Sequence, residues 1–206
     1  MFITFEGPEG SGKTSQLADL AEYLTQKGFP VLTTREPGGT PIGDQIRAIL
    51  SSLDNTDMRP RTEILLFQAS RAQLVEQVIR PHLEEGGVVL SDRYADSTLA
   101  YQGYGYQADL GNLRAIIDFA TGGLKPDITL LLDVDVEEGL RRRERDGGWN
   151  RLDAYEVAFH QRVRQGYIEL VQAEPQRWLV IDAGQPPDQV QMEIRRIVLE
   201  RLQDNH

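Results

Sequence analysis

Eight residues near the amino terminus constrain this chain more than anything else in it. Gly7-Pro8-Glu9-Gly10-Ser11-Gly12-Lys13-Thr14 fits the pattern GxxxxGK[ST], between an apolar run, Met1 to Glu6, and an amphipathic stretch, Gly12 to Lys27. A strand, a glycine-rich turn and a helix in that order make a phosphate cradle. The glycines let successive backbone N–H groups turn inward around phosphate oxygens, and the helix amino terminus adds partial positive charge. In such a cradle Lys13 reaches the β- and γ-phosphates and the Thr14 hydroxyl ligates Mg²⁺. A tight turn without function is the bland reading, and it leaves the strand-to-helix setting unexplained. The sequence predicts a nucleoside triphosphate site.

The rest of the chain repeats that alternation. Val31 to Thr34, Val88 to Ser91, Ile128 to Asp133 and Trp178 to Asp182 are short aliphatic runs bounded by Gly, Pro or charged residues, and read as buried strands. Helices are predicted at 12–27, 42–53, 62–85, 95–101, 110–121, 136–145, 153–173 and 187–202. Crossovers of that length imply parallel strands with helices on both faces. The expectation is an α/β, three-layer P-loop NTPase fold with five parallel strands, and 206 residues suit one domain, 1–206. Gly103 to Gln107 and Arg141 to Arg151, which contains Gly147-Gly148, read as mobile excursions.

Charge narrows the partners. The 22 basic against 32 acidic residues leave −10, which opposes a broad grip on nucleic acid or an anionic membrane. Anions are then held locally, and 19 of the 22 basic residues are arginines, whose fork matches phosphate oxygens. With no cysteine there is no disulfide, thiolate nucleophile or Cys-ligated zinc. No basic leader and no apolar run long enough for a membrane span are present, so a cytoplasmic protein is expected.

Two strands end in acids. Asp92 closes Val88-Val89-Leu90-Ser91 and Asp133 closes Ile128 to Leu132, and either carboxylate suits Mg²⁺ beside the cradle. Asp92 is favoured because Arg93 follows it, at a strand end where an open α/β sheet binds ligands. Arg71 interrupts the apolar face Ile64–Val75–Val78, so it pairs either with a buried acid or with a ligand. Phe67, one turn earlier, offers a ring to a base or packs as core. Arg141 to Arg151 holds five arginines around a glycine pair. The cradle carries Glu9 and no arginine, so a closing lid here is the source of a guanidinium for a transferring phosphoryl group.

Taken together, the chain resembles the thymidylate kinases over essentially its whole length. The resemblance rests on Phe5-Glu6-Gly7, Thr34-Arg35-Glu36-Pro37-Gly38-Gly39-Thr40, the helix Phe67 to Arg71, Asp92-Arg93-Tyr94 running to Ser97, Ala100-Tyr101-Gln102-Gly103 and the arginine-rich stretch ending at Asn150-Arg151. It implies transfer of the ATP γ-phosphoryl to dTMP, with Mg²⁺, in a homodimeric cytoplasmic enzyme of dTTP biosynthesis. It also implies that Phe67 stacks on thymine, that Arg71 bonds the base edge, and that Arg93 with Arg35 to Pro37 holds the dTMP phosphate. Ser97, Thr98 and Gln102 would line the same pocket, with Thr98 and Gln102 near the base. Tyr101 would crowd the sugar 2′ position, and Glu9 would face the acceptor sugar. Arg145 and Arg151 are the expected helping arginines of a lid at about 141–152.

Rivals remain at this stage: a kinase for dUMP, UMP or GMP, and a GTP- or ATP-gated binding module. Against a GTP switch, Asp133-Val134-Asp135-Val136 stands where an Asn/Thr-Lys-x-Asp guanine signature would be expected. A nucleic-acid-dependent ATPase would want an extended basic surface that −10 does not offer.

Overall fold

A computed structural model describes residues 1–147, 151 and 155–204. Five strands form one all-parallel sheet: β1 (Phe2–Glu6), β2 (Val31–Arg35), β3 (Val88–Asp92), β4 (Ile128–Asp133) and β5 (Trp178–Asp182), in the order β2-β3-β1-β4-β5. All five coincide with the expected runs to within a residue, because aliphatic stretches buried on both faces have few other places to go. Ile3, Phe5, Leu90, Leu130 and Leu132 face one layer, closed by α1 (Lys13–Gln26) and α9 (Pro187–Asp204). Phe2, Val89 and Leu131 alternate to the opposite face.

The order of the strands positions the site. From β1 the chain crosses to β2 on one side, whereas from β3 it crosses to β4 on the other. Neighbouring strands whose connections diverge leave a crevice at their carboxyl ends. The cradle leaves β1 and Asp92-Arg93 leaves β3, so both open into that crevice.

Two expectations change. The helix foreseen over 62–85 is three pieces in line: α3 (Pro60–Leu74), a π turn Val75–Ile79 and α4 (Arg80–Glu84). Pro81 has no N–H for the preceding turn and its ring crowds that carbonyl, so the backbone widens just ahead of it. The segment read as an excursion at Gly103 to Gln107 is largely packed structure. After α5 (Ala95–Thr98), a π-helical turn Leu99–Gly105 continues the helix, with Gly103 against Leu110 and Leu113 and Gly105 against Phe159. Those glycines serve close approach: a Cβ at Gly105 would lie 2.6 Å from the Phe159 ring. Helices α2 (Pro41–Ser51), α6 (Leu110–Thr121), α7 (Val136–Asp146) and α8 (Val157–Ala173) complete the layers. Of the anticipated lid, Gly148 to Asn150 and Leu152 lie outside the described residues.

Candidate active site

The cradle folds as its glycines require. Gly7, Gly10 and Gly12 have φ of 143°, 67° and 84°, conformations that a side chain resists. At Gly10 there is a second reason: a Cβ would sit 1.9 Å from the carbonyl of Gly139 on α7, and one at Gly139 would sit 2.3 Å from the Glu9 carbonyl. The arginine-bearing helix is thus seated directly on the phosphate loop through a pair of glycines. Lys13 lies curled within the loop, its Nζ donating to the carbonyls of Gly7 (3.1 Å) and Pro8 (2.8 Å) and to Ser11 Oγ (3.1 Å). Burial, then the nearby Arg93 charge, lowers its pKa from 10.5 to about 8.

Thr14 Oγ1 donates to Asp92 Oδ2 at 2.6 Å. A hydroxyl and a carboxylate thus stand together beside the loop, hard oxygens suited to Mg²⁺. Asp133 is committed elsewhere: Arg164 grips it with both arms at 2.7 and 2.8 Å. The two strand-end acids, alike in sequence, are separated by their neighbours.

Arg93 sits at the centre of the crevice with φ of 70°, unusual for a residue with a side chain. Hydrogen bonds hold it there. Its own N–H reaches the Phe5 carbonyl at 2.9 Å, and the next N–H, of Tyr94, reaches Glu6 Oε1 at 2.8 Å. Its guanidinium donates to Glu9 Oε1 (2.7 Å) and to the Gly7 carbonyl (3.1 Å), and lies 4.9 Å over the Tyr101 ring. Tyr101 OH donates to the same Glu9 oxygen at 2.7 Å. Burial works to raise the Glu9 pKa, and the charges of Arg93 and Lys13 outweigh it, bringing it from 4.5 to about 2.

Behind Arg93 lies an acid that the sequence did not single out for a role. Glu6 is fully buried, its Oε2 accepting from Ser97 Oγ (2.6 Å) and Tyr167 OH (2.9 Å). Both hydroxyls also receive Arg93 Nη1 at 3.3 Å. Burial, with Asp96 close by, raises the Glu6 pKa from 4.5 to about 7.

The crevice is a cleft of about 840 Å³ that runs from the cradle to α3, ample for small-molecule ligands. Every residue expected at the site except Gly7, Pro8, Arg145 and Arg151 lines it, including Glu9, Arg35, Pro37, Phe67, Arg71, Asp92, Arg93, Ser97, Thr98, Tyr101 and Gln102. The lining of the cleft is rich in cations. Arg35, Arg93 and an arginine that sequence reasoning passed over, Arg47, share it, and Arg47 is anchored to the Pro37 carbonyl at 2.9 Å. Burial and then the like charge of Arg35 lower the Arg47 pKa, a strain that an anion would relieve. Nothing in a mid-helix arginine on a polar face distinguishes such a residue from a solvated one.

Of the alternatives left open for Arg71, the structure shows the buried acid. Arg71 is 1% exposed and paired with Glu36 at 2.6 Å, and it also donates to Gln68 Oε1, Thr98 Oγ1 and the Tyr94 carbonyl. It forms part of the cleft wall with its donors engaged by the protein.

The two arginines expected from the lid lie elsewhere. Arg145 is 71% exposed and 3.9 Å from Glu138. Arg151 is buried: it pairs with Glu63 at 2.5 Å and donates to the Leu50 carbonyl and Tyr155 OH. Arg143 is the lid arginine that lines the cleft, and its charge helps to lower Glu9. A buried acid 88 positions away claims Arg151, a pairing no local pattern announces.

A P-loop on β1, an acid and an arginine ending β3, and a cation-rich cleft between them define a P-loop nucleotide-binding fold of the NTPase class. Residues 5–194 match the family model described as thymidylate kinase. Thymidylate kinases of Roseiflexus sp. (strain RS-1) and Deinococcus radiodurans are 55% and 52% identical to the chain. The alignments cover 96% and 98% of it, and 93% and 97% of those proteins. The crystal structure of thymidylate kinase from Ehrlichia chaffeensis superposes with a TM-score of 0.80 at 33% identity, covering 96% of this chain and 98% of that one. The chain belongs to the thymidylate kinase family.

Proposed function

We propose that this protein transfers the γ-phosphoryl group of ATP to the phosphate of dTMP, giving dTDP and ADP, a step in dTTP synthesis. The observation that carries the reading is one cleft that holds both the Lys13 loop and three further arginines, Arg35, Arg47 and Arg93; in this reading Lys13 serves the donor and the arginines the acceptor. Phe67, half-buried in the far wall, supplies a face for the thymine ring, with Arg71, Thr98 and Gln102 around its edge. Tyr101, held by Glu9, stands where the sugar would pass.

The chemistry follows from charge and position. A phosphate monoester oxygen is already anionic and attacks the γ-phosphorus without a general base, while the bond from that phosphorus to the β–γ bridging oxygen breaks. Arg93 aligns the attacking phosphate, and Lys13 with the loop N–H groups holds the donor phosphates. The Thr14 hydroxyl and Asp92 carboxylate would hold Mg²⁺, which would supply further neutralisation of the phosphate oxygens. Among the described residues no cluster of three or more His, Cys, Asp or Glu offers an all-protein metal cage, in keeping with a metal shared with phosphates. Arg143, on the helix seated against the loop, is the guanidinium best placed to meet charge on the transferring group, and closure of the lid would exclude water.

The whole chain acts as one unit in this reading, in the cytoplasm; among the described residues no helix is long and apolar enough to cross a membrane. A homodimer is part of the proposal. Helix α3 packs between α2 and α6, and these three helices expose Ile49, Leu65 and Phe119, the last at 88%, apolar surface that a second copy would cover.

An acceptor panel tests the function. With ATP and Mg²⁺, and with dTMP, dUMP, UMP, GMP and dCMP offered in turn, dTMP is expected to have the largest kcat/KM. A larger value for any other acceptor would overturn the assignment.

A further inference from the structure

Glu63 lies on α3 one turn before Phe67 and two before Arg71, so the three share one stripe of the helix. Unlike the other two, it does not line the cleft. It is 1% exposed, and side chains of four residues converge on its carboxylate. Oε2 accepts from Arg151 Nη2 (2.5 Å) and lies 3.2 and 3.4 Å from the hydroxyls of Tyr106 and Tyr155, which are hydrogen-bonded to each other so that one of them is left to donate to it, while Oε1 accepts from Gln102 Nε2 (2.8 Å). Glu63 is paired with the Arg151 guanidinium, and a carboxylate in such a pair accepts from its neighbours. The Gln102 amide therefore has one stable orientation, since turning it over would set two acceptor oxygens against each other. With Nε2 committed to Glu63, Oε1 accepts no hydrogen bond among the described residues, and Gln102 is one of the residues that line the cleft.

We infer that Glu63 is a positioning residue for base choice: through Gln102 it presents an acceptor oxygen to the cleft and so favours a base with a ring N–H. A pyrimidine-2,4-dione carries that N–H at N3, whereas a 4-aminopyrimidine has a lone pair there, which would face the oxygen with no proton between. This inference rests on the placing of the base beside Phe67 proposed above. It also gives Arg151 a role away from the transferring phosphoryl group, as the cation paired with Glu63.

Substitution Glu63→Gln frees the Gln102 amide to turn. The ratio of kcat/KM for dTMP to that for dCMP should fall at least about tenfold, through KM, with kcat at saturating dTMP within about threefold of wild type. The double variant Glu63→Gln/Gln102→Ala should discriminate no worse than Gln102→Ala alone, because both changes remove the same oriented oxygen. Equal losses for both acceptors, or additive losses in the double variant, would mean that Glu63 merely supports the fold and would overturn the inference. Should Glu63→Gln not fold, the wild-type Gln102 side-chain amide protons, assigned by NMR through their loss in Gln102→Ala, should be protected from exchange; rapid exchange would overturn it equally. Failure of the kinase reading is separate, since it would appear in the wild-type protein as no preference for dTMP at all.

Discussion

The Glu6 carboxylate gives the account a quantitative test in stability. In the folded chain its pKa rises from 4.5 to about 7, driven by burial and then by the neighbouring Asp96. Bonds from Ser97 and Tyr167 and the charge of Arg93 pull the other way and leave the rise incomplete. The folded protein therefore holds this proton more tightly than the unfolded chain does, which favours folding fully below about pH 4.5 and is lost as pH rises through about 7. A rise of that size is worth about 3 kcal/mol in all, most of which disappears between pH 5 and 8. Glu6→Gln keeps a neutral group of similar shape and cannot titrate. Urea denaturation of both proteins across that range should show the wild type losing roughly 2–3 kcal/mol relative to the variant. Parallel stability curves, or a wild type that gains on the variant as pH rises, would refute the burial argument.

Two further outcomes concern the phosphate side. Lys13, lowered to about 8 by burial and Arg93, should regain its proton when phosphates surround it. Calorimetry of ATP binding near pH 8, in buffers of different ionisation enthalpy, should therefore show uptake of about half a proton; release, or no exchange, would count against it. Among lid variants, Arg143→Ala should lower kcat by a factor on the order of 10³, Arg145→Ala far less, and Arg151→Ala should lower chiefly the melting temperature. A kcat loss confined to Arg145→Ala or Arg151→Ala would move the helping role back to the arginines that the sequence favoured.

Much of this was readable from local pattern. Gly7 to Thr14 marked the cradle because strand, glycines and helix are adjacent in the chain, and the five strands announced themselves as aliphatic runs. What local pattern misses are partners brought from afar. Glu36 meets Arg71 across 35 positions and Glu63 meets Arg151 across 88, so a charged residue within an apolar face, or within a basic run, could be placed only once the chain had folded. Asp92 and Asp133 end equivalent strands; only Thr14 beside one and Arg164 beside the other tell them apart. Gly103 and Gly105 were misread for a related reason, since glycine marks a flexible segment and a close helix contact with the same letter.

The central claim is that donor and acceptor anions occupy opposite sides of one cleft. It is tested most directly by titrating Arg93→Ala, checked to be folded by its melting curve, with each nucleotide in turn. The dTMP Kd should rise by about a hundredfold, as loss of a charged hydrogen-bonding partner to a phosphate implies, while the ATP Kd changes by less than about threefold. Equal losses for the two nucleotides, or a loss confined to ATP, would contradict the assignment of Arg93 to the acceptor.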